Sequence, residues 1–278
     1  MSVQIEKLSN VIGAEVIGLD LDSPIAPGIV TQLKRALADH LVLCIRNQDL
    51  EPKAFTEASK IFGNPKRFVL RLDRVDGAPE VSIVSNRPRG FGGKPLVQAK
   101  HWHTDDSYLA APATLTILHA KTLPAEGGDT EFINCYAVLD AMPQRLRRRI
   151  EGLRAIHKYQ SRRAGSWVAK RSAEEEAETP DVDHPLIRRH PDSDRQSLYI
   201  NPNRIDTIKG WDEATSDELL DELYEHAFQP QFQYRHKWQP GDLVIWDNRC
   251  TMHRANADYD LSQLRVMHRI MMEGEVPN

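Results

Sequence analysis

The chain of 278 residues is long enough to bury one substantial hydrophobic core, and at 40% hydrophobic and 27% charged it sits with ordinary globular proteins, away from disordered or fibrous ones. Lys and Arg number 36 against 40 Asp and Glu, a net charge of −4 that leaves no basic footprint for nucleic acid. No stretch approaches the roughly 20 apolar residues that span a bilayer, no secretory leader pattern is seen in MSVQIEKLSNVIGAEV, and Cys44, Cys135 and Cys250 are far apart without a C-x-x-C pair, so a reducing cytoplasm is the expected setting, with neither membrane nor nucleic acid as partner.

Residues 3–22 alternate apolar and polar and read as short strands turning at glycines. Ile29, Leu33 and Leu37 recur at helical spacing from Pro27 to His40, and HLVLCIR then reads as a buried strand. A second helix is expected from Pro52 to about Phe62, with Pro at its start and Gly63 past its end. The Arg-, Gly- and Pro-rich stretch 64–100 carries one strand, EVSIVSN, and reads as a lid or pocket wall. ATLTILHAKTLP and DTEFINCY are expected as strands joined by the turn EGGD, and AVLDAMPQRLRRRIEG as one helix whose Arg147, Arg148 and Arg149 make a solvated face. RSAEEEAETPDVDHP, within a second candidate lid at 160–185, reads as an exposed excursion or a solvated helix. PLIRRHPDSDRQSLYIN predicts two strands around a turn, TSDELLDELYEHAF an amphipathic helix starting at Thr/Ser, and the last fifty residues mostly strands. With no βαβ rhythm and no composition break, residues 1–278 are expected to form a single domain, mainly β with flanking helices, a two-sheet sandwich or barrel.

Chemistry concentrates in KHWHTDDSY. Two residues apart on an extended strand, His103 and Asp105 leave one face and can meet a single ion. With one further His they make the facial set that leaves three positions open on Fe(II). The chain holds a second His-x-Asp, His190 and Asp192, but Pro191 and the following DSDR mark a hairpin tip. His101 shares the face of His103 only if the strand stays regular. The far partner is His253: LVIW reads as a buried strand, DNR as a turn, the next strand carries His253, and Arg265 and Arg269 follow on a third. A dicarboxylate that chelates iron through its 2-oxo acid end leaves a second carboxylate for a buried guanidinium to neutralise. Arg67, Arg71, Lys100, Asn203 and Arg204 lie in stretches that could line the pocket, though each is read first as solvent-facing.

WHTD, the EGGDT turn and WDNRCTMHR with its downstream Arg pair together resemble the taurine dioxygenase and dichlorophenoxyacetate dioxygenase family, from GAEVIGLDL to Arg269. The resemblance implies a double-stranded β-helix (jelly-roll, cupin-like) core, Fe(II) on His103, Asp105 and His253, and the distal carboxylate of 2-oxoglutarate on Arg265 and the Thr130 hydroxyl. It also implies that Arg269 meets the anionic group of a small organic substrate, and that O2 and 2-oxoglutarate yield succinate, CO2 and a hydroxylated product. A retained carboxylate at Asp105 favours hydroxylation over halogenation. WDNRC and GGDTEF lie closer to the phenoxyacetate branch, where hydroxylation beside the ether oxygen gives a hemiacetal that collapses to a phenol and glyoxylate; taurine or alkylsulfonate oxidation is the alternative. A zinc hydrolase and a non-catalytic cupin-like binding protein are the competing readings from other classes. A homo-oligomer is the expected assembly.

Overall fold

Apolar residues that alternate or cluster along most of the sequence become strands in the computed structural model, which describes residues 3–87, 94–164 and 169–278. In chain order the elements are β1 (Gln4–Lys7), β2 (Ala14–Ile17), α1 (Pro27–His40), β3 (Val42–Ile45), α2 (Pro52–Ser59), β4 (Pro65–Lys66), β5 (Arg74–Val75), β6 (Ala78–Ser85) and β7 (Leu115–Thr122). They continue with β8 (Thr130–Asn134), α3 (Cys135–Asp140), α4 (Gln144–Ile150), β9 (Arg154–His157), α5 (Ala173–Ala177), β10 (Val182–Pro185), β11 (Ile187–Arg189), β12 (Gln196–Leu198) and β13 (Ile205–Ile208). Helix α6 (Glu213–Ala227) precedes β14 (Gln233–His236), β15 (Leu243–Asp247), β16 (Thr251–Ala255) and β17 (Val266–Met272).

Two sheets frame the site. The larger runs β1-β2-β3-β15-β7-β17-β6-β5, with β4 against β17, and the smaller runs β14-β8-β16. β15 shows how the sequence builds them: Leu243 and Ile245 pack beneath α1 and α2 with Leu33 and Phe55, whereas Val244 and Trp246 point the other way, toward Phe132 of the smaller sheet. Both faces of the strand are covered, which is why it reads as an unbroken apolar run. A third cluster joins α3, α4 and α6 to β13 through Leu139, Leu146, Leu219 and Ile205. This is the mainly β core with flanking helices expected from the sequence.

Several local expectations need correcting. β7 and β8 do not form a hairpin: β7 pairs with β15 and β17, β8 with β14 and β16, so the EGGD turn carries the chain from one sheet to the other. The single helix expected over 137–152 is two, broken at Met142–Pro143, where proline lacks an amide and disfavours helix in the residue before it. One βαβ unit exists, since β2 and β3, joined through α1, pair in parallel. Helix α6 begins before the Thr/Ser start, capped by Asp212, whose carboxylate accepts the Thr215 amide. The acidic excursion splits into α5, closed by a capping box of Ser172 and Glu175, and a strand on β9.

Candidate metal centre

The site is assembled where residues 101–108 cross β16. His103 and His253 face each other in an isolated antiparallel bridge, the His103 amide donating to the His253 carbonyl at 3.0 Å and the His253 amide to the His103 carbonyl at 2.8 Å. Asp105 follows in a turn, not in the regular strand expected, and Asp106 takes φ 56°. Bridge and turn together, rather than strand alternation, bring the side chains of His103, Asp105 and His253 to one point, with one donor atom of each within 4.8 Å of the others. His103 Nε2 lies 3.7 Å from Asp105 Oδ1 and His253 Nε2 lies 3.8 Å from Oδ2.

Further residues hold these groups; Trp246 and Asn248 fall within the WDNRC motif, whereas Thr116 and Asn201 are not singled out in the sequence. The Thr116 hydroxyl donates to Asp105 Oδ2 at 2.7 Å, Asn248 Nδ2 donates to Thr116 Oγ1 at 2.8 Å, and Trp246 Nε1 donates to Asn248 Oδ1 at 2.9 Å. Asn201 Nδ2 reaches both the Thr104 carbonyl at 2.8 Å and Ser107 Oγ at 2.9 Å, pinning the turn on either side of Asp105. His103 Nδ1 donates to the His101 carbonyl at 2.9 Å, so Nε2 keeps its lone pair for the site. His101 contributes that carbonyl and lines the cavity, but its ring is not among the three converging groups. Burial pushes both site histidines down, His253 to about 3. Burial alone would raise Asp105, but His253, Arg269, His103 and the Thr116 hydroxyl outweigh it and bring its carboxyl down to about 2. Near neutral pH the set is two neutral imidazoles and a carboxylate, the forms that ligate a divalent metal. Two nitrogens and one oxygen, with the rest of the sphere open, fit non-haem Fe(II).

A second feature asks for an anion. Arg265, 6% exposed at the entry to β17, donates Nε to the Gly128 carbonyl at 2.9 Å and its amide to Asn86 Oδ1 at 3.0 Å, while Nη2 has no partner. Among the described residues no carboxylate pairs with it, and an uncompensated buried guanidinium is costly until an anion arrives. The EGGD turn makes the approach possible. Gly128 has φ +69°, and a Cβ there would stand 3.2 Å from Arg265 Nε; at Gly127, φ +73°, a Cβ would strike the Asp258 carbonyl at 2.6 Å. Thr130, two residues on, is buried and accepts Trp238 Nε1 at 3.0 Å. Arg269 on β17 places Nη1 4.0 Å from Asp105 Oδ1, donates Nε to Ser82 Oγ at 3.2 Å, and stacks on Phe68 with 4.1 Å from Cζ to the ring centroid.

A cavity of about 610 Å³ opens over His103, Asp105 and Arg269, with apolar wall residues that include Phe68, Leu70, Ile83, Val84, Leu96 and Leu261. The stretches 64–100 and 160–185 both line it, the latter through Ala164 and Ala169, and Glu175 ties them together by accepting the Arg71 amide at 2.9 Å; their parts at 88–93 and 165–168 lie outside the described residues. Of the flanking residues read as solvent-facing, Lys100, Asn203 and Arg204 line the cavity, whereas Arg67 pairs with Glu80 and Arg71 with Glu178. His190 and Asp192 do sit between β11 and β12, away from the converging set.

The sequence profile of the "Taurine catabolism dioxygenase TauD, TfdA family" matches residues 4–271. An α-ketoglutarate-dependent 2,4-dichlorophenoxyacetate dioxygenase from Cupriavidus pinatubonensis is 33% identical over 282 residues, covering 97% of each chain. A protein from Acinetobacter baylyi named alkylsulfatase is 30% identical over 299 residues, 99% of this chain and 86% of its own. The crystal structure of AAD-2 in complex with Mn(II) and N-oxalylglycine superposes with a TM-score of 0.83 at 32% identity, covering 100% of this chain and 99% of that one. The chain therefore belongs to the TauD, TfdA dioxygenase family and is a 2-oxoglutarate-dependent non-haem iron dioxygenase.

Proposed function

We propose that this dioxygenase hydroxylates a small organic acid of the aryloxyalkanoate type, with His103, Asp105 and His253 as its iron ligands, Arg265 and Thr130 as holders of the distal carboxylate of 2-oxoglutarate, and Arg269 as a holder of the substrate's anionic group. The observation that carries the reading is the join of cationic groups to apolar walls: Arg269 stands beside Asp105 in a cavity that Phe68, Leu70, Ile83 and Val84 also line. Iron, 2-oxoglutarate and O2 bound here supply the oxidative decarboxylation that drives hydroxylation. The chain's own residues orient and shield. Arg265 receives a carboxylate bidentately, which relieves an unpaired buried donor otherwise costing about 1–3 kcal/mol. The apolar walls strip water from an aromatic body and leave its anionic end to the guanidinium. Residues 1–278 act as one catalytic domain in this reading, with 64–100 and 160–185 as cover for the pocket.

A second reading has one observation behind it. The cavity wall offers apolar surface without requiring an aromatic ring, and the Acinetobacter relative is named alkylsulfatase, so an alkyl sulfate fits the same description. Succinate formation with Fe(II) and 2-oxoglutarate across 2,4-dichlorophenoxyacetate, octyl sulfate and taurine separates them. Phenol and glyoxylate from the first acid are expected; turnover of octyl sulfate alone would transfer the assignment, and turnover of taurine alone would overturn both.

A further inference from the structure

Most guanidinium groups of this protein are spent on carboxylates: Arg235 meets Asp129 and Asp258, Arg163 meets Asp217 and Asp221, and Arg249 meets Asp247 and Asp192. Arg204 is different. It lines the substrate cavity, and its one hydrogen bond runs from Nη1 to the Tyr159 carbonyl. No carboxylate among the described residues pairs with it, and Nε and Nη2 have no protein acceptor there. Its Cζ stands 4.9 Å from the Tyr108 ring centroid and 5.0 Å from that of Tyr159, the two rings meeting edge to face at 86°.

The cradle is itself fixed. The Tyr108 hydroxyl donates to Asp106 Oδ1 at 3.1 Å and Lys66 Nζ holds the other oxygen at 2.8 Å, so that acid is already matched by a cation. The Tyr159 hydroxyl donates to the Ala169 carbonyl at 3.0 Å, and Arg171 covers that ring with Cζ 4.1 Å from its centroid. Both tyrosines therefore offer Arg204 only ring surface, and the N–H edge of the guanidinium is the part left to bind. Arg204 and Arg269 both line this one cavity, with His103 and Tyr108 among the residues beside them in its wall.

We propose that Arg204, held between Tyr108 and Tyr159, is a specificity-determining residue that binds the carboxylate or sulfate of the organic substrate alongside Arg269 and so selects acids over their neutral esters. This rests on the reading of the cavity as the pocket for an organic anion. Stacked guanidinium, unlike ammonium, meets a planar carboxylate through two parallel N–H bonds, so the site favours Arg over Lys for geometry as well as charge.

The test is direct binding to enzyme loaded anaerobically with Fe(II) and 2-oxoglutarate, using 2,4-dichlorophenoxyacetate, its methyl ester and octyl sulfate. Arg204→Gln is expected to weaken whichever anion the wild type binds by ~20-fold and the ester by less than about threefold. Arg204→Lys, which keeps the charge and guards against a folding defect, is expected to fall between them at about fivefold. Equal losses for acid and ester, or an unchanged affinity for the acid, overturn the proposal while leaving the pocket reading intact. Failure of the wild type to bind either anion overturns the pocket reading and this inference with it.

Discussion

Two His-x-Asp sequences occur in this chain, one with a buried histidine and one with a half-buried one, and their surroundings differ. At His190–Pro191–Asp192 the carboxylate points away at 68% exposure to meet Arg249, while His190 Nε2 donates to Asp247 at 3.0 Å. Asp247 in turn takes three bonds from Arg249, through its amide, Nε and Nη2. Each donor atom there has a partner, and the acid at its centre is matched by a full positive charge. At His103–Thr104–Asp105 the carboxylate has one close neutral donor, Thr116, while Arg269 and both imidazole Nε2 atoms stand back at 3.7 to 4.0 Å. A spacing too long for hydrogen bonds and too short for a water layer is what three ligands leave for an ion. Thus the same His-x-Asp pattern is tied into an ion pair with arginine at one place and left as an open set of three converging groups at the other.

The sharpest way to break this contrast is to remove the two acids separately. Asp105→Ala is expected to lower coupled succinate formation by about a thousandfold or more and to abolish Fe(II) binding in titration calorimetry, with the metal-free fold retained. Asp247→Ala should do the reverse. Losing the partner of buried Arg249 is expected to cost about 3–5 kcal/mol in urea unfolding, while the protein that remains folded still binds Fe(II). An acid arm sharpens the second point. The charge of Arg249 and the His190 bond hold Asp247 well below the usual carboxylate range despite its burial. Its contribution is therefore present above the unfolded value near pH 4 and lost as the pH falls through the folded one. Wild-type metal-free protein should lose stability below about pH 4 more steeply than Asp247→Asn. The smallest effect is expected at Thr116→Val, which frees one oxygen of Asp105; Fe(II) affinity should drop about tenfold with little change in melting temperature. If Thr116→Val bound iron as tightly as wild type, the hydroxyl would be packing rather than orienting.

How far the sequence discloses these features depends on the range of the interactions behind them. Helix α1 is legible to the residue because Pro27 and the spacing of Leu33 and Leu37 are local causes. The hairpin of β11 and β12 is legible for the same reason, with Pro191 at its turn. The break at Pro143 was available to the same reasoning, since a proline amid a helical pattern is itself the cause. The separation of β7 and β8 into different sheets was not, because it is decided by β14, β15, β16 and β17 more than a hundred residues later. At the site, His253 and Arg265 follow motif order and Asn248 lies within WDNRC, but Thr116 acts through bonds between distant segments and carries no pattern. Arg204 is the clearest case: on a polar stretch, YINPNR, it reads as a surface residue, and only the meeting of Tyr108 with Tyr159 turns it into a cavity wall.

The reciprocal bridge between His103 and His253 gives the centre a dynamic character as well as a shape. Each of these two histidines is hydrogen-bonded through its main chain to the other, so opening β16 at this point releases both amides in a single event. Their hydrogen-exchange rates should coincide and should slow together on metal loading, by the factor through which bound metal lowers the population of the opened form. The imidazoles then keep their separation through small displacements of the strand, and a ligand pair that drifts as a unit can tolerate backbone motion that would distort a site built on two independent loops.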